Sequence, residues 1–305
     1  MKKNILSIIL IALISTSSFA QEGTDSIVAK EKDYPVSAAF ESSYLIDAQT
    51  TIVPEVKTLQ MGIQHKFAPI DEGIKDLWGI YGSANIRIAL DYVPVKNLQI
   101  GAGITKTKMM TDLNAKYTIL QQTRKNTVPI SLAVYGNVGI DGRDIAATGK
   151  DSIQEAFTGP IGPYEFSDRL NYFTQVIVGR KFNEWLSLQA AASFTHYNAV
   201  EPEYDHDKIG VHFNGRIKVS PMGSVIFNFD APLNIESLSE HTEFTNPPKS
   251  SLALGYEVST GTHAFQFFLS STQSLLSQES MMWNTNEMNA EGFSFGFVIT
   301  RLWAR

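Results

Sequence analysis

The sequence predicts an all-β protein: a single antiparallel transmembrane β-barrel of about twelve strands, with fourteen as the alternative count. Three observations predict it: a secretory-type leader, a hydrophobic period of two along most of the chain, and connections that alternate short and long. The chain has 305 residues, no cysteine and a formal net charge of −6. It holds no run of 18 apolar residues, which excludes helical membrane spans. An acidic chain with scattered Lys and Arg is a poor partner for nucleic acid. The absence of cysteine excludes a disulfide framework, thiolate metal sites and thiol catalysis.

The N-terminus reads as an export signal over residues 1–20. Lys2 and Lys3 form a basic start, and Ile5 to Ile14 an apolar stretch of ten residues. As a helix, that stretch would span only about 15 Å, half a bilayer core. Ser18 and Ala20 then place small residues where cleavage is expected, after Ala20. Gln21 stands where a lipoprotein needs cysteine, so no lipid anchor is expected. Residues 21–35 are polar and aperiodic and read as a flexible periplasmic tail, a handle for a periplasmic partner.

From residue 57 onward, twelve stretches carry the strand period, most of them 10 to 15 residues long. They fall at 57–69, 80–93, 97–108, 111–122, 127–140, 168–182, 185–199, 208–219, 224–234, 250–259, 263–275 and 291–303. In the second, Ile86, Ile88, Leu90 and Tyr92 alternate with Arg87, Ala89 and Asp91. In the third, Gly101 and Gly103 form a Gly-x-Gly with no helix after it, which suits relief of crowding inside a barrel rather than a nucleotide loop. The fifth sets Val128, Ile130, Leu132 and Val134 against Ser131, Ala133 and Tyr135. The eighth sets Ile209, Val211, Phe213 and Ile217 against His212, Asn214, Arg216 and Lys218. The last sets Phe293, Phe295, Phe297 and Ile299 against Ser294, Gly296, Val298 and Thr300. Successive strand side chains point to opposite faces, so each stretch has one apolar face and one polar or small one. Strands of soluble proteins average about 5–6 residues, whereas tilted membrane strands need about 9–11. Length favours the membrane.

Connections after the even-numbered stretches are short, such as Asn183-Glu184 and Thr260-Gly261-Thr262. Those after the odd-numbered ones are longer, apart from a tight turn at Met109 and Met110. That is the pattern of an outer-membrane barrel with both chain ends on the periplasmic side. Tyr92, Phe182, Trp185 and Trp303 stand at the short-turn ends, as an aromatic girdle requires. Tyr81, Tyr172, Tyr197 and Trp283 stand near the other. The outward face, with Phe227, Phe229, Phe265, Phe267, Phe295 and Phe297, is expected to meet outer-membrane lipid. Residues 36–56 do not fit the count. They read as an extended segment, either in the lumen or as a periplasmic strap, before the barrel of 57–305. A strand at 36–48 with another inside 141–167 would give fourteen.

The stretch Met61-Gly62-Ile63-Gln64-His65-Lys66-Phe67 resembles the Ile-x-His-Arg-Phe strand of an uncharacterised family of Bacteroidota outer-membrane β-barrel proteins. Ala84-Asn85-Ile86-Arg87-Ile88, Lys116-Tyr117, Leu120-Gln121-Gln122 and Pro129 are similar to further elements of it, and the likeness is clearest over 36–135. Lys66 replaces the usual arginine and Ala68 the usual glycine. The resemblance implies a barrel in the cell envelope. It brings no activity, cofactor or catalytic residue.

No enzyme and no cofactor are expected. The six histidines show no metal-site spacing, and Ser193 and His196, three apart on one stretch, fall on opposite faces. Glu201, Glu203, Asp205, His206 and Asp207 crowd one loop, where oxygen ligands could hold Ca²⁺, but a solvated acidic loop explains them as well. The candidate site is the lumen face: Arg87, Asp91, Lys116, His212, Arg216, Lys218, Asp230 and Glu257 share its period. A hairpin turning about Met222 would set Arg216 opposite Asn228 and Asn214 opposite Asp230. The functional expectation is a passive or weakly selective pore, or a binding barrel, for a small polar solute. The rivals are a sealed structural or interaction barrel and, further off, a lipid-modifying hydrolase.

Overall fold

The computed structural model describes residues 32–144, 165–200, 204–235, 238, 247–289 and 291–304. The leader, most of the tail, most of the loop at 141–167, and Glu201 and Glu203 lie outside the described residues. From Tyr34 onward the chain forms one unit.

Twelve antiparallel strands close into a barrel. They are β3 (Leu59–Pro69), β4 (Asn85–Val95), β5 (Leu98–Thr105), β6 (Met110–Leu120), β7 (Ser131–Ile140), β8 (Leu170–Lys181), β9 (Leu186–Tyr197), β10 (Asp207–Lys218), β11 (Gly223–Leu233), β12 (Ser251–Ser259), β13 (His263–Ser270) and β14 (Ser294–Trp303). Each pairs with its neighbour in sequence, and β14 pairs with β3, so no edge is left open. Twelve is the count, not fourteen. Residues 80–84, 127–130 and 271–275, which the sequence places in strands, lie outside them.

The barrel is inside out relative to a soluble protein. Ile88, Leu90, Ile104, Leu113, Val176, Leu254 and Phe267 are exposed on its outer face, while Lys66, Arg87, Asp112, Lys116 and Glu257 are almost fully buried within. A folded chain in water would reverse that arrangement, because unpaired buried charge is costly and apolar exposure brings no gain. Glycines relieve the crowded interior. A Cβ on Gly101 would lie 1.9 Å from Asp91 Oδ1, and one on Gly103 would lie 2.6 Å from both Arg87 Nη2 and Asp112 Oδ1.

Tyr92, Phe182 and Trp185 are exposed on the outer face at the short-turn ends. Tyr197 is not a girdle residue. It points inward, and its ring meets that of Trp283 edge-on at 5.4 Å inside the long-loop mouth. The reason is parity: Tyr197 shares the inward face of β9 with Ser193 and Thr195.

The chain before the barrel enters the lumen. Pro35 bridges to Thr123 at the short-turn end, and the chain then forms a small hairpin of β1 (Tyr44–Leu45) and β2 (Ala48–Gln49). It returns where the Lys57 amide donates to Val93 O, and β3 begins. Phe40, Leu45 and Ile46 pack on a small apolar patch of the inner wall formed by Ile226, Ala253, Phe268 and Val298. Burying each such side chain is worth about 1.5–3 kcal/mol. From the other end, the chain after β13 turns inward and forms helix α1 (Ser277–Trp283) against β8 to β11. Among the described residues, no helix is long and apolar enough to cross a membrane.

Candidate functional site: the occupied lumen

The wall holds the hairpin through side chains, not through a strand ladder. Ser43 Oγ donates to Gln99 Oε1 at 2.8 Å, Tyr44 OH donates to Asp91 Oδ2 at 2.5 Å, and the Ile46 amide donates to Gln266 Oε1 at 2.7 Å. Gln189 Nε2 donates to Gln49 O at 2.6 Å. Lys116 Nζ donates to Ser43 O and to Gln49 Oε1, each at 3.2 Å. Lys66 pairs with Asp47 and also donates to Ser274 O at 2.8 Å, so one buried ammonium holds both inserts. Arg216 places Nη2 at 2.5 Å from Glu41 Oε1, while its Nε donates to Glu257 Oε1 at 2.8 Å.

Arg87 and Asp230 are tied within the wall instead. Arg87 grips Asp112 with two bonds, Nε to Oδ1 at 2.9 Å and Nη2 to Oδ2 at 2.7 Å, and gives Nη1 to Gln64 Oε1 at 2.9 Å. Glu257 accepts from Gln266 as well as from Arg216. Lys218 is half-buried at the short-turn mouth, where it lines a cavity of about 420 Å³ with Glu41 and His263. Lys66, Asp112 and the glutamines at 60, 64, 99, 189 and 266 belong to the same inner face. The period of β3 carries the missing signal for Lys66, which shares a face with Gln60 and Gln64.

The β10–β11 register corrects the hairpin expectation. Arg216 opposes Ile226, Asn214 opposes Asn228, and His212 opposes Asp230. The turn centres on Pro221, one residue before Met222, because both the Val219 and Ser220 amides donate to Gly223 O. Moving the centre by one residue slides the partners by two, which preserves every side chain's face.

His212 joins a relay that inspection along one strand misses. Ser193 Oγ lies 2.7 Å from His212 Nε2, and His212 Nδ1 lies 2.6 Å from Asp230 Oδ1. This is the connectivity of a nucleophilic triad, assembled across three strands rather than with His196. The surroundings do not suit acyl transfer. A Cβ on Gly210, the residue facing Ser193, would lie 2.4 Å from Met281 Sδ and 2.8 Å from Ser193 Oγ, so α1 fills the approach. The residues around Ser193 are paired on both sides in the β8–β9–β10 ladder, which commits the amides an oxyanion would need. The trio brackets three strands together.

At the long-loop mouth, Glu279 of α1 is buried with neither oxygen hydrogen-bonded. Burial pushes its carboxyl up to about 7, and the Lys108 ammonium nearby lowers it in part. Lys108 Nζ stands 4.1 Å from the centre of the Trp283 ring. In the acidic loop, Asp205 pairs with Lys208 at 3.1 Å and Asp207 with His196 at 2.7 Å, so these carboxylates serve local pairs. Among the described residues, no group of three or more His, Asp or Glu is arranged to hold a metal ion.

A closed antiparallel barrel with an apolar outside and a charged inside is a membrane-spanning β-barrel. The chain matches the family described as membrane bound beta barrel domain (DUF5777) over residues 40–303, and it belongs to that family. No curated protein matches this sequence. Among solved structures it is similar to an outer-membrane channel from Pseudomonas putida F1, at 10% identity over 83% of this chain and 97% of that one, with a TM-score of 0.46. It is also similar to the NanC porin, at 7% identity over 82% and 100% of the two chains with a TM-score of 0.44. For the KdgM porin the values are 6%, 80%, 98% and 0.43.

Proposed function

We propose that the protein is an outer-membrane channel for a small polar solute, at rest with its own N-terminal hairpin closing the lumen. The observation that carries this reading is how the insert is held. Residues 41–51 contact the wall by side-chain bonds and one apolar patch, and Pro35–Thr123 is the one isolated strand-type bridge outside the strands among the described residues. A charged wall behind the insert can be rehydrated when the insert leaves, which a hydrophobic core could not be. The short-turn end faces the periplasm, the outer face meets lipid, and residues 21–35 offer a periplasmic partner a handle on the hairpin. The channel works by passage and carries out no catalytic step.

The apolar cluster around Phe40 favours a second reading, a permanently sealed structural or interaction barrel. Planar-bilayer recording separates the two. The channel reading expects rare, brief openings from the unaltered chain and sustained conductance from the full-length variant Phe40→Ala/Glu41→Gln/Asp47→Asn. Silence from both at all voltages, with the variant still folded, would leave the sealed barrel.

A further inference from the structure

The inner wall carries two kinds of cation. Arg87 is matched by Asp112 on the wall itself and would remain paired if the lumen emptied. Lys66 and Lys116 are different. Among the described residues their bonded partners are Asp47, Ser274 O, Ser43 O and Gln49, all on the inserted segments; the wall carboxylate Asp91 acts on Lys116 only across space. Arg216 shares itself between Glu257 on the wall and Glu41 on the hairpin.

These three cations are also spread in depth. Counted along the strands from the long-loop end, Lys66 stands three residues below Pro69, Lys116 six below Met110 and Arg216 nine below Asp207. Three strand residues advance about 10 Å, so the cations form a descending series around the lumen. The hairpin meets the top of that series with the Asp47 carboxylate, the middle with amide oxygens, and the bottom with the Glu41 carboxylate. When the hairpin leaves, the carboxylates leave with it. Lys66 then faces the lumen without a bonded acid, Lys116 keeps only the unbonded Asp91 carboxylate of the wall nearby, and the best replacement is another anion with oxygens spaced along its length.

We propose that Lys66, Lys116 and Arg216 form the binding path for a small organic anion carrying two or more carboxylates, which Glu41 and Asp47 imitate in the closed state. The inference rests on the channel reading above, because it requires the hairpin to leave. Solute and hairpin then compete for the same cations, so solute arriving in the lumen favours the open form. A ligand shifts such an equilibrium only through its differential affinity for the two states, and here the open form alone binds it.

The chain has no cysteine, so Ser43→Cys in the full-length protein places a single thiol between the hairpin and the wall. The probe is propane-1,2,3-tricarboxylate, added to the protein in detergent with a neutral maleimide. Labelling should accelerate at least tenfold, with no response to glucose or to sodium chloride at equal ionic strength. The added change Lys66→Gln/Arg216→Gln should speed labelling without any anion and abolish the tricarboxylate response. Equal acceleration by sodium chloride would overturn the inference while leaving a movable hairpin. An introduced thiol that stays unlabelled in every condition, including with Phe40→Ala, would overturn the channel reading itself and the inference with it.

Discussion

Arg87 shows what a buried charge requires. Its guanidinium is 2% exposed and is satisfied by two bonds to Asp112 and one to Gln64. Removing one partner of a buried pair typically costs about 3–5 kcal/mol, because the other is left uncompensated. Asp112→Ala should therefore lower stability by roughly that amount in a reversible folding assay in lipid. Asp112→Asn, which keeps an acceptor, should cost less. Gly103 makes the same point in reverse. A side chain there meets the pair at 2.6 Å, so Gly103→Val should cost about 1–3 kcal/mol by overpacking in the same assay. The residue scale is where the sequence was least legible. The faces of Arg87, Asp91 and Lys116 follow from strand parity alone. Their partners do not, because Tyr44, Ser43 and Asp112 arrive from other elements through register and insertion.

The inserted elements differ in what holds them. For the hairpin, Phe40 and its apolar neighbours supply the larger share, since a buried ion pair roughly cancels its own desolvation. Phe40→Ala should thus loosen the hairpin more than Glu41→Gln does, read as faster hydrogen exchange of the Leu45 and Ile46 amides. Helix α1 carries a proton-linked contribution from Glu279. Its carboxyl lies at about 7 when folded, above the ordinary 4.5. A carboxyl raised by burial adds no penalty below its unfolded value and destabilises the buried state as pH rises from 4.5 through 7. Lys108, Asp112, Asp141 and Arg143 are the charged groups acting on it. Trp283 fluorescence should therefore report a looser α1 at about pH 8 than at about pH 5, and Glu279→Gln should remove that dependence. Neither insert has a strong local signature. Residues 36–56 lack a sustained period because they pack against a wall on several sides, and α1 is only seven residues long.

At the scale of the whole molecule the sequence is most legible, since twelve alternating stretches and the loop alternation suffice for the strand count and closure. The depth of each side chain is harder to read. Phe295 lies one residue inside the long-loop end of β14, whereas Phe267 stands mid-strand in β13 and is 59% exposed. Phe267→Arg should cost about 2–4 kcal/mol in lipid, as a charge at mid-membrane depth does. Protease added to intact cells should cut within the long loops, at 141–167 or 235–249, and spare the turn from Ser220 to Gly223. Cleavage at that turn in sealed cells would reverse the topology.

The barrel is apolar outside and filled inside, and spin labels placed singly on β10 from Val211 to Ile217 in a bilayer distinguish the two faces. The labels at 211, 213 and 217 should relax with dissolved oxygen, as groups facing lipid do. Those at 212, 214 and 216 should be shielded from oxygen and from a water-soluble nickel chelate alike, because the hairpin and α1 occupy the lumen. Nickel access at 212, 214 and 216, at the level of an open water-filled pore, would contradict a filled lumen.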